Sequence, residues 1–101
     1  MSELDDALAA YHQACVILRD THLDLGTTRH AVIRQRADII NNAYSSGTAI
    51  TAARELADAG VAYLQSDVHV MESEINAQLA TLRWLDQLLI DLRARNVQEG
   101  S

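Results

Sequence analysis

Residues 75–92, INAQLATLRWLDQLLIDL, set Ile75, Gln78, Leu82, Leu85, Leu89 and Leu92 at alternating steps of three and four. That spacing lines side chains along one face of a helix wound against another helix, and a strand, whose side chains repeat every two residues, cannot use it. The same steps continue toward the N-terminus through Ala57, Val61, Leu64, Val68 and Met71, so the second half of the chain reads as one long amphipathic arm. Only Gln78 interrupts its apolar seam. The first half carries a matching seam through Leu4, Leu8, Tyr11, Cys15, Leu18, His22 and Leu25, then less cleanly through Arg29, Val32, Arg36, Ile39 and Ala43.

Between the two seams stands YSSGTA, where Ser45, Ser46 and Gly47 form the clearest turn signal and Thr48 is suited to cap the helix that follows. The chain is therefore expected to be an all-α antiparallel helical hairpin forming a single domain over residues 1–101. Arm 1 covers about 2–44, the turn 45–47 and arm 2 about 48–97. Folding back about that turn pairs Leu4 with Leu89, Leu8 with Leu85, Tyr11 with Leu82, Leu18 with Ile75, Leu25 with Val68 and Val32 with Val61. In that register Cys15 faces Gln78. A weakly polar layer of this kind fixes register, because sliding the arms would bury the amide against leucines. A competing reading starts from DLGTTRH: Gly26 ends one helix and Thr27 or Thr28 caps the next, so a break at 26–28 makes three helices.

Composition narrows the classes of function. The 101 residues include no proline and four glycines, with 49% apolar residues, enough for one small helical domain. All eight basic residues are arginine, and the net charge of −6 opposes general binding to nucleic acid or anionic membranes. A single cysteine excludes an internal disulfide framework. No apolar run approaches the roughly 20 residues of a membrane span. The acidic start MSELDDALAA has no basic segment followed by an apolar core. A cytoplasmic protein, or one secreted without a leader, is the expectation.

Side chains outside the seams form further apolar stripes. Arm 2 places Leu56, Tyr63, Val70 and Trp84 at multiples of seven with Leu88 nearby, and arm 1 adds Val16, Leu23, Ile33, Ile40 and Tyr44. A lone hairpin would leave these exposed, and contiguous apolar surface marks interfaces. They are the candidate interface residues. A homodimer, most simply a four-helix bundle, or a helical partner would cover them.

No constellation for chemistry stands out. His12 and Cys15 form an isolated H-x-x-C without the paired close spacings of a zinc site, and a cysteine on the seam would be shielded and inert. Glu55 and Asp58 in ELAD match one half of the magnesium-binding motif pair of all-helical pyrophosphatases, and the other half is missing. Arg29, His30, Arg34 and Arg36 form the one basic cluster, with Arg29 and Arg36 on the seam side, positioned to pair with Asp58 or Asp67. No catalytic, cofactor-binding or metal-binding residue is assigned, and no cofactor is expected.

An acidic helical hairpin of about a hundred residues turning near its middle resembles the WXG family of small helical-hairpin proteins handled by type VII secretion systems. That family marks its turn with W-x-G and follows its second helix with Y-x-x-x-D/E. Here the turn is YSSG, with the aromatic residue three before the glycine, and Tyr63 to Asp67, YLQSD, matches the second motif from inside the second arm. The resemblance implies a secretion substrate or its partner. The residues themselves point to a non-catalytic module for protein–protein interaction or assembly. A phage or mobile-element inhibitor acting through its acidic faces is a further alternative.

Overall fold

The computed structural model describes residues 2–99, with residues 1, 100 and 101 outside that description and Glu99 described by its backbone alone. The chain is all-α, with helices α1 (Glu3–Ser45), α2 (Ile50–Gly60) and α3 (Ala62–Glu99) and no strand among the described residues. Helix α1 starts under a Ser2 hydroxyl that accepts the Asp5 backbone N–H at 3.1 Å, with Glu3, Asp5 and Asp6 placing negative charge at its positive end. Contacts gather into two compact units, one built from Met1–His22 and Ser73–Ser101, the other from Leu23–Glu72. Each unit pairs a stretch of α1 with returning chain.

Helix α1 runs unbroken through Gly26, so the break expected at 26–28 is not there. Thr27 turns its hydroxyl back onto the Leu23 carbonyl at 3.1 Å instead of capping a new helix. A mid-helix glycine costs only about 1 kcal/mol against alanine, and burial of Leu25 and Val32 on either side outweighs that. The third helix arises at Gly60 and Val61 instead. Val61 leaves helical geometry (φ −104°, ψ 2°) while its N–H still donates to the Ala57 carbonyl at 3.1 Å. Ile39 explains the glycine beside it. Its Cδ1 lies 2.6 Å from where a Cβ on Gly60 would stand, so only glycine admits that approach with Ile39 in place.

The turn lies slightly beyond its expected position. Gly47 takes φ 87°, the one positive φ among the described residues, and its N–H donates to the Tyr44 carbonyl at 3.0 Å. The Thr48 N–H reaches the Ala43 carbonyl at 3.0 Å. Together these bonds close the end of α1 as a Schellman motif. Thr48 thus closes α1 through its backbone instead of capping the helix that follows, and α2 begins after Ala49, which makes no side-chain cap bond.

The seam of the second arm is largely as the spacing predicts: Ala57, Val61, Val68, Ile75, Leu85, Leu89 and Leu92 are buried, with Leu64, Met71, Gln78 and Leu82 half-buried. On α1 the seam differs at every second layer. Leu4, Tyr11, Leu18, Leu25 and Val32 face inward, but their companions are Ala7, Ala14 and Thr21 in place of Leu8, Cys15 and His22, all three of which are exposed. Both choices keep a three-four alternation. At the Thr21 layer the choice follows the cost of burying polar atoms: the Thr21 hydroxyl donates to the Ile17 carbonyl at 2.8 Å and is satisfied inside its own helix, whereas an imidazole has no such local partner.

The pairing moves with the seam. Ala7 packs with Leu89 and Leu92, joined by Leu4, Tyr11 and Leu88, whereas the expected register sets Leu4 against Leu89. Glu3 reaches Arg95 and Tyr11 stands beside Asp86, so the arms of this unit are displaced by roughly one helical turn from that register. Cys15 consequently shares no seam layer with Gln78, and the polar layer reduces to Gln78 alone. No fully buried side-chain nitrogen or oxygen among the described residues lacks a hydrogen bond, so Gln78 brings no orphaned group into the core.

Candidate interaction surface

In the unit made of the chain ends, α1 presents Ala7 and Ala10 toward α3. Two alanines one turn apart leave room above the facing leucines, and an open groove of about 360 Å³ results. Leu85, Leu88 and Leu92 line its α3 side, and Glu3 and Asp6 stand at its edge. Trp84 borders it with 64% of its surface exposed. Burying such an indole contributes on the order of 2 kcal/mol, and its N–H can still find a polar partner at an interface edge. Glu3 approaches Arg95 at 3.9 Å, whereas the Asp6 carboxylate has no cationic partner among the described residues.

Also in this unit, Tyr11 stands beside Asp86. The Asp86 carboxylate is the main cause that raises the Tyr11 phenol above its ordinary pKa, and loss of hydration adds to it.

The unit around the turn has a second groove, of about 330 Å³, with Thr27, His30, Ala31 and Arg34 of α1 on one side and Tyr63 and Leu64 of α3 on the other. The Arg34 guanidinium, which carries only N–H donors, lies 3.1 Å from His30 Nε2. Tyr63 donates its hydroxyl proton to Gln35 Oε1 at 3.1 Å. The other arginines of the basic cluster pair across the helices: Arg36 with Asp58 at 2.9 Å and Arg29 with Glu72 at 3.3 Å. Arg29 and Asp58 are exposed and Arg36 and Glu72 half-buried, open enough to solvent that each pair contributes at most about 1 kcal/mol. Arg34 has no carboxylate partner among the described residues.

The sequence-derived interface residues divide between the two units. Leu23, Ile33, Tyr44, Leu56, Tyr63 and Val70 are exposed on the turn unit, and Ile40 is half-buried there. In the unit of the chain ends, Trp84 is exposed while Val16 and Leu88 are half-buried, and only Trp84 and Leu88 meet in one groove. Reading by hydrophobicity alone passed over Ala7 and Ala10, whose small size makes that groove, and over the exposed Ile90 and Leu79. The available signal was the A-x-x-A spacing in DDALAAY.

Among the described residues no three His, Cys, Asp or Glu side chains are arranged to hold a metal ion, and no helix is long and apolar enough to cross a membrane. The chain matches no family model, and no curated protein or solved structure is significantly similar to it.

Proposed function

We propose that this chain is a non-catalytic α-helical interaction or assembly module that associates with itself or with a helical partner. The observation that carries the reading is Trp84, exposed beside the open apolar groove formed by Ala7, Ala10 and Leu88. Aromatic side chains set next to a recess of this kind dominate the energetics of protein interfaces, because they lose much apolar surface to water exclusion and little entropy. The surplus of acidic over basic residues argues against nucleic acid as the partner.

Light scattering coupled to size exclusion, run over a range of concentrations, tests this. The expected result is at least a dimer, with Trp84→Ala shifting the population toward monomer while the helical circular dichroism spectrum stays unchanged. A monomer at every concentration, with Trp84 already shielded from an aqueous quencher, would refute self-association.

A further inference from the structure

The two grooves differ in the sign of the charge left unsatisfied at their edges. The groove at the chain ends carries the Asp6 carboxylate, which has no cationic partner among the described residues, and the groove near the turn carries the Arg34 guanidinium, which contacts His30 and has no carboxylate partner among the described residues. Their volumes are similar, about 360 and 330 Å³, and each is floored by alanine and leucine. Each also holds one large, mostly exposed aromatic side chain, Trp84 in the first and Tyr63 in the second. Arg34 has another use for such a neighbour, since a guanidinium binds the face of an indole as well as a carboxylate.

We infer that the occupant of the Arg34–Tyr63 groove is the Trp84–Asp6 surface of a second copy of this chain. The inference rests on the self-association reading above and specifies which surfaces meet. Trp84 of one copy seats against Ala31, Leu64 and Tyr63 of the other, and Asp6 reaches Arg34, whose hydrogen bond to His30 is exchanged for a charge-assisted one. Like-to-like contact between two Trp84 surfaces would instead bring Asp6 and Glu3 of both copies together, which carboxylate repulsion disfavours. Each copy carries both surfaces, so the contact is heterologous, one groove of each copy meeting the other groove of its neighbour.

Charge reversal and charge exchange distinguish the arrangements. Arg34→Asp and Asp6→Arg, each alone and each folded by circular dichroism, should weaken self-association by about tenfold or more in sedimentation analysis. Mixing the two variants should restore a mixed assembly, because Asp6 then meets the native Arg34 and the reversed pair also carries complementary charges. If Trp84→Ala disrupts the dimer while Arg34→Asp leaves it intact and the mixture gains nothing, the cross-groove contact is wrong although self-association stands. If the wild-type chain is monomeric throughout, both fail.

Discussion

At the scale of single residues, one ionisable group and two core positions have clear consequences. The neutral phenol of Tyr11 is favoured beside Asp86, so its folded pKa lies above that of an unfolded tyrosine. The linked stability is complete below about pH 10, the unfolded value, and is lost as pH rises through the folded one. Asp86→Asn removes the responsible charge and should lower the Tyr11 pKa toward normal, followed through the ring resonances by NMR. An unchanged titration would contradict the coupling. In the core, Ile75 is buried and Leu18 only half-buried. Ile75→Ala should therefore cost about 2–5 kcal/mol and Leu18→Ala about half as much or less, measured by urea unfolding. Equal losses would mean that Leu18 is more enclosed than the structure shows.

At the scale of elements, two glycines that look alike in sequence do opposite things. Gly26 sits inside α1 with helical backbone and nothing within 4 Å of where its Cβ would be. Alanine there restricts the unfolded chain and meets no obstacle, so Gly26→Ala should stabilise by about 0.5–1 kcal/mol. Gly47 also has open space around it, but its φ of 87° belongs to the left-handed region. Gly47→Ala should cost about 1–2 kcal/mol by strain in the Schellman turn alone. Opposite shifts of the unfolding midpoint check both statements, and a stabilising Gly47→Ala would refute the turn geometry.

At the scale of the whole molecule, neighbouring residues on α3 separate folding from assembly. Leu85 is 2% exposed and Trp84 64% exposed, although they are adjacent in sequence. Leu85→Ala should reduce protomer stability by about 2–5 kcal/mol. Trp84→Ala should leave that stability nearly unchanged and weaken association instead. If copies associate only when folded, the thermal midpoint rises with protein concentration, and Trp84→Ala should flatten that dependence. A midpoint independent of concentration in both proteins would count against assembly linked to folding.

The all-α class and most of the second-arm seam were determined by sequence alone, because a run of apolar residues at three-four spacing has one cheap solution, a helix burying that stripe. YSSG likewise marked the turn, since only Gly47 accepts a positive φ without strain. The choice of Ala7 over Leu8, Ala14 over Cys15 and Thr21 over His22 belonged to tertiary structure: both sets satisfy the same periodicity, and only packing against the opposite helix selects between them. The same holds for the continuity of α1 at Gly26 and for the close approach of Ile39 to Gly60 beside the interruption at Val61. Local spacing says which residues share a face. How deep each one lies, and which recess stays open beside Trp84, follows from volumes that meet only when the chain has folded back on itself.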